Sequence, residues 1–134
     1  MLIRSEEEML NYGKELGKTL NAPQVLELRG DVGAGKTTLT RGIAEGLGVK
    51  DSVTSPSFTL SKEYNGQKYC LVHYDFYRLA DPGIMAENLA ESIRNPNAIV
   101  IVEWGQSIQN ILPENRKIIE ILYIDENTRE VKVR

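Results

Sequence analysis

Gly30-Asp31-Val32-Gly33-Ala34-Gly35-Lys36-Thr37 follows the spacing G-x-x-x-x-G-K-[ST]. Each residue type in that pattern has a chemical reason. Glycines let the chain curl until successive backbone N–H groups, those of Asp31, Gly33, Ala34 and Gly35 among them, can point inward at phosphate oxygens. A helix beginning at Lys36 adds the positive end of its dipole to the same anion. The Lys36 ammonium suits the β- and γ-phosphates, the Thr37 hydroxyl suits Mg²⁺, and Thr38 adds a hydroxyl or N–H near the α-phosphate. The ligand class this predicts is a nucleoside triphosphate with its diphosphate product, together with Mg²⁺; the absence of the guanine-reading string N-K-x-D favours ATP and ADP.

Phosphoryl chemistry at such a loop also needs a carboxylate at the end of a neighbouring strand, to hold the metal or a water. Two candidates exist. Asp75 follows the strand-like Tyr69-Cys70-Leu71-Val72-His73-Tyr74, and Glu103 follows the unbroken apolar run Ala98-Ile99-Val100-Ile101-Val102. One can bind the metal while the other orients water. Lys36, Asp75 and Glu103 are thus the candidate catalytic residues, and Thr37 and Glu103 the candidate metal ligands. Arg41 and Arg78 are candidates for the γ-phosphate. His73, the single histidine, fits either a positioning role or plain packing. The hydroxyl-rich stretch Thr54, Ser55, Pro56, Ser57, Phe58 and Thr59 has the character of loops that sense a γ-phosphate.

The elements that must position these residues follow from periodicity. Ser5 and Glu8 make a capping box for a helix over 6–20, in which Gly13 and Gly17 weaken the pattern. A strand over 24–29 leads into the phosphate loop, and a helix over 36–47 follows it, stopped by Gly46 and Gly48. Strands over 58–64 and 67–74 flank Asn65-Gly66, a strong hairpin signal. A short helix over 84–94 precedes the strand 98–102, whose continuous apolarity fits burial on both faces. Strands over 118–124 and 130–134 close the chain as a hairpin. Helices and strands alternate first and hairpins come elsewhere, so the fold class is α/β: a P-loop NTPase-like mixed β-sheet flanked by helices.

With 134 residues the chain makes one domain, 1–134. It is 41% hydrophobic and 26% charged, which excludes disorder, collagen and coiled coil. Its net charge of −3 argues against a stand-alone grip on nucleic acid. No apolar run approaches the roughly 20 residues of a membrane span. Residues 1–8 lack the order of a signal peptide, and one cysteine, Cys70, builds no disulfide framework. The expected location is the cytoplasm, with no membrane partner.

Neither N-K-x-D nor D-x-x-G occurs, which removes the base-reading and switch strings of GTPases. Only one short helix fits between residues 84 and 97, so hydrolysis or switching is favoured over transfer to a bound metabolite. Four stretches occur in order: the phosphate loop through Thr38; Ser55-Pro56-Ser57-Phe58-Thr59; His73-Tyr74-Asp75-Phe76-Tyr77-Arg78-Leu79; and Val102-Glu103-Trp104. Together they resemble the bacterial TsaE (YjeE) family over essentially the whole chain. That resemblance implies an ATPase subunit for threonylcarbamoyladenosine modification of ANN-decoding tRNAs. It would work with the TsaD–TsaB complex, and meet tRNA only through that complex. The resemblance also implies that Glu103 is the magnesium-side acid with Asp75 its catalytic companion, and that residues 54–59 are a switch-like loop. It places Glu6 near the adenine and Arg129 over the nucleotide. The segment 80–88 departs from the family pattern. A small P-loop kinase and a non-catalytic nucleotide-dependent assembly module are the alternatives.

Overall fold

The computed structural model describes residues 1–31, 33–53, 61–77 and 83–134, the side chain of residue 84 excepted. Among them the elements run β1 (Leu2–Ile3), α1 (Glu6–Thr19), β2 (Gln24–Arg29), α2 (Lys36–Gly46), β3 (Ser61–Asn65), β4 (Cys70–Asp75), α3 (Gly83–Arg94), β5 (Ala98–Glu103), β6 (Lys117–Tyr123) and β7 (Arg129–Val133). A 3₁₀ turn, Gly105–Ile108, follows β5. The strands form one mixed sheet in the order β1-β7-β6-β2-β5-β4-β3. Four parallel strands, β6-β2-β5-β4, make its centre, and antiparallel strands close both sides. This is the expected P-loop-like α/β sheet.

Alternation along the strands separates two cores. Leu26, Leu28, Ile99, Ile101, Ile119 and Ile121 face α1 and α2, where they meet Leu39 and Ile43. Val25, Val72, Tyr74, Val100 and Val102 face the opposite way, toward Leu89 and Ile108. All six residues of β5 are buried, as its unbroken apolar run requires.

The capping box forms, with a shift. Ser5 Oγ accepts from Glu8 N at 3.0 Å, while Glu8 reaches back one residue further, to Arg4 N at 2.6 Å. Gly13 and Gly17, which weaken the helix on propensity alone, are its packing surface. A Cβ at Gly13 would sit 2.6 Å from the Leu39 carbonyl oxygen and 3.0 Å from Gly42 Cα. Gly42 and Gly46 of α2 meet the Leu10 and Lys14 carbonyls in the same way. Two G-x-x-x-G faces therefore let α1 and α2 touch backbone to backbone. Gly46 is part of that contact. The residue that ends α2 is Gly48, whose φ of 83° suits a helix stop.

The Asn65-Gly66 hairpin also differs from the two-residue turn its sequence suggests. Asn65 pairs with Cys70, so four residues make the loop. Gly66 N donates to Tyr69 O at 2.9 Å, and Gln67 N is drawn away to Leu47 O at 2.8 Å. β4 therefore begins at Cys70, three residues later than periodicity predicts. β1 is a two-residue strand too short to carry a periodic signal. It is held by Val131 N donating to Met1 O at 2.8 Å.

Glu27, in the middle of β2, is 2% exposed. It accepts from Arg116 Nε at 2.7 Å, Arg29 Nε at 3.0 Å and Gln109 Nε2 at 2.9 Å. Burial alone would raise its carboxyl. The bonds from Arg29, Arg116 and Gln109 outweigh burial and hold it below its ordinary value of 4.5. A carboxyl held low in the folded state stabilises above the unfolded value, and that contribution fades as pH falls through the folded one. Glu27→Gln should therefore cost about 3 kcal/mol at neutral pH. That is the lower end of the range for a broken buried pair, because the Arg29 side chain is 40% exposed. In urea titrations the gap from the native chain should narrow as the pH drops below 4.5. A pH-independent gap would remove the ionic account of this network.

Candidate active site

The C-terminal ends of three neighbouring parallel strands meet at the phosphate loop. Gly30 follows β2, Glu103 ends β5 and Asp75 ends β4. Asp75 and Glu103 are direct register partners across the β4–β5 ladder. The two acids that sequence reading placed at separate strand ends therefore lie side by side.

The loop's backbone is built for an anion. Gly33 and Gly35 have φ of 82° and 108°, a region open to glycine at little cost. Ala34 N donates to Asp31 O at 3.0 Å and tightens the turn. Gly35 is the N-cap of α2 and, having no side chain, makes no cap bond of its own. Thr37 and Thr38 occupy that first turn, half-buried. A helix start of this kind, with the positive end of its dipole at a glycine N-cap, favours a phosphate.

Lys36 is 7% exposed. Its ammonium donates to the Gly30 carbonyl and to Asp31 O at 3.3 Å, and lies 4.0 Å from the centroid of the Trp104 ring. Burial lowers its pKa, and the charges of Glu103, Asp75 and Asp31 oppose that shift. Glu103 is 3% exposed, and its Oε2 lies 2.5 Å from His73 Nε2. Asp75 Oδ1 accepts from Tyr77 N at 3.0 Å, so this acid also shapes the turn after β4.

On the other flank of the loop lies a cavity of about 380 Å³. Glu6, Met9, Gly35, Thr38, Asn127 and Arg129 are among its lining residues. Arg129 Nε donates to Ala34 O at 3.2 Å and its Nη2 to Gly33 O at 3.3 Å, with Tyr123 stacked 4.6 Å below the guanidinium. Glu6 and Arg129, which the family resemblance places near the adenine and over the nucleotide, both line this pocket beside the phosphate loop, from opposite ends of the chain.

Other candidates fall elsewhere. Arg41 Nε donates to Val53 O at 3.3 Å, which holds the chain just before residue 54. Cys70 donates to Glu63 at 3.3 Å, and burial with that carboxylate pushes its thiol up to about 11, so it offers no nucleophile. Arg78, Val32 and the loop residues Thr54, Ser55, Pro56, Ser57, Phe58 and Thr59 lie outside the described residues. Trp104 is the site residue whose role sequence reading missed. It adopts a left-handed conformation (φ 58°), packs 4.7 Å from the Tyr77 ring and covers Lys36. Its signal was its place, the single tryptophan directly after a strand-end acid.

The donor set discriminates between metals. Thr37, Asp75 and Glu103 offer hard oxygens, which suit Mg²⁺. Among the described residues no three His, Cys, Asp or Glu side chains gather as a cage. That combination fits Mg²⁺ held jointly by one or two protein oxygens and by phosphates, rather than a structural metal. No helix among the described residues is long and apolar enough to cross a membrane.

Comparison with known proteins gives the family. The family model for the threonylcarbamoyl adenosine biosynthesis protein TsaE matches residues 3–131. The chain belongs to the TsaE family. The Haemophilus influenzae relative, named tRNA threonylcarbamoyladenosine biosynthesis protein TsaE, is 39% identical over 92% of this chain and 82% of its own. The Bacillus subtilis TsaE is 43% identical over 80% of this chain and 66% of its own. The crystal structure of Bacillus subtilis YdiB superposes with a TM-score of 0.80 at 34% identity, covering 98% of this chain and 80% of that one.

Proposed function

We propose that this protein binds and hydrolyses Mg²⁺-ATP as the accessory ATPase of tRNA threonylcarbamoyladenosine modification, working in the cytoplasm with a TsaD–TsaB complex on ANN-decoding tRNAs. The observation that carries the catalytic part is the register pairing of Asp75 with Glu103 beside the buried Lys36. In this reading the N–H groups at the start of α2 bind the phosphates, and Lys36 leaves the Gly30 and Asp31 carbonyls for the β- and γ-oxygens. Thr37 and Glu103 would hold Mg²⁺, which would supply positive charge to offset that of the phosphates. Asp75 orients a water for in-line attack on the γ-phosphorus. The bond from that phosphorus to the bridging oxygen breaks, and ADP and inorganic phosphate leave. Glu6 and Arg129 enclose the adenine end. The names of the family and of its relatives support the pathway.

Turnover measured for the protein alone, then with TsaD–TsaB and tRNA, tests the reading. Slow hydrolysis alone and marked stimulation in the full mixture are expected; the same rate in both would overturn the partner-dependent part. Phosphoryl transfer to a small acceptor is a second reading. It has one observation on its side, a cleft of about 450 Å³ beside Gly30, Trp104 and Gln109. Release of inorganic phosphate equal to ADP formed rules that reading out.

The two acids should separate. An acid on the metal affects affinity and rate together, whereas one that only orients water acts in the transition state. Glu103→Gln should weaken Mg²⁺-ATP binding and slow turnover, while Asp75→Asn should keep binding and lose turnover. Calorimetry beside partner-stimulated rates checks this, and the opposite pattern exchanges the two roles.

A further inference from the structure

His73 is wholly buried, on a strand face that also carries Leu71 and, at the strand's end, Asp75. It sits two residues before Asp75 in β4 and shares its face with Leu71, toward α1 and α2. Its Nε2 lies 2.5 Å from Glu103 Oε2, and both side chains are almost fully buried, at 0% and 4% exposed. The other ring nitrogen, Nδ1, is buried and has no hydrogen-bond partner among the described residues.

Packing alone explains this poorly. A buried imidazole with one unsatisfied nitrogen costs stability, because that nitrogen gives up its water without gaining a partner. An apolar residue of similar volume would fill the same space without that cost. What the histidine supplies is one short bond to one carboxylate oxygen. Glu103 is the last residue of β5, where backbone pairing ends, and its side chain has several rotatable bonds. A fixed donor on Oε2 restricts those bonds and leaves the second oxygen for another partner. Charge places that partner: among the carboxylates acting on Lys36, Glu103 has the largest influence.

We propose that His73 is a positioning residue, which holds Glu103 in the orientation that binds Mg²⁺ at the phosphate loop. The inference rests on the reading of Glu103 as the magnesium-side acid given above. Partners that orient metal ligands in this way are known to matter nearly as much as the ligands themselves.

The test compares His73→Gln, His73→Asn and His73→Leu with Glu103→Gln, in the full chain. The Gln amide nitrogen can occupy the place of Nε2 and donate to Glu103. The Asn amide is too short to do so, and Leu has no donor. Binding of ATP is measured by calorimetry across a Mg²⁺ titration and again in EDTA, with thermal melting as the folding check. The Leu and Asn variants should need about tenfold more Mg²⁺ for half-maximal ATP binding. The Gln variant should stay near the native midpoint, and affinity in EDTA should be the same for all. If Leu fails to fold, the Asn–Gln contrast carries the test.

Native Mg²⁺ midpoints in Leu and Asn, beside a shifted midpoint in Glu103→Gln, would overturn the role of His73 while leaving that of Glu103 intact. An unshifted midpoint in Glu103→Gln would overturn the reading of Glu103 and this inference with it. Equal loss of affinity with and without Mg²⁺ in the Asn variant would also overturn it, since a merely structural defect acts that way.

Discussion

Lys36→Ala should lower partner-stimulated ATP turnover by about a hundredfold or more, the usual cost of removing one preorganised donor to transition-state charge. The lysine is held almost out of solvent by Gly30, Asp31 and the Trp104 ring, within reach of the charges of Glu103, Asp75 and Asp31. Its partners before nucleotide arrives are weak carbonyl acceptors, which phosphate oxygens can replace with stronger, charge-assisted bonds. The γ-phosphoryl oxygens gain charge as the bond breaks, so that interaction contributes most in the transition state. Lys36→Arg should fare little better, because a planar guanidinium does not fit a site shaped for a compact ammonium under an indole. Rates of phosphate release with every partner present, on variants shown to be folded, decide the matter. Near-native hydrolysis by Lys36→Ala would remove this residue from the mechanism.

Gly42→Ala should destabilise the protein, although in most helices the same change stabilises it. Alanine is favoured over glycine in a helix interior by about 1 kcal/mol. Here the added methyl group would drive into the Leu10 carbonyl oxygen and stand 3.0 Å from Gly13 Cα. Both neighbours are backbone, so neither can rotate away, and α1 must move off α2. Overpacking of that kind costs about 1–3 kcal/mol. For a domain of this size the melting temperature should fall by roughly 3–15 °C. Gly13→Ala should behave alike, since its methyl would meet Leu39 O at 2.6 Å. Because α2 carries Lys36, Thr37 and Thr38 at its first turn, the displaced helices should also weaken ATP binding. A melting temperature raised by either substitution would show that the helices tolerate separation. The close glycine contact would then not be needed for stability.

Short-range chemistry by itself determined much of this protein. The phosphate loop was legible because its pattern specifies backbone conformation and side-chain type within eight residues, and both are local properties. Gly33 and Gly35 take the positive φ their loop needs, and Lys36 begins the helix where the pattern places it. β2, β5 and the ends of α1 and α2 were legible for the same reason, since capping residues, glycine stops and apolar runs act over one or two turns. Tertiary structure alone decided which distant residues meet. No periodicity indicates that Asp75 and Glu103 share a register, that His73 bonds Glu103, or that Arg129 reaches the Gly33 and Ala34 carbonyls from 96 and 95 residues away. Glu27 has one counter-charge close by in sequence, Arg29, but its shortest bond comes from Arg116, 89 residues later. The glycines of α1 looked like a defect because propensity describes a helix in water. Their value exists only against the glycines of α2, where the absence of two side chains lets two backbones touch.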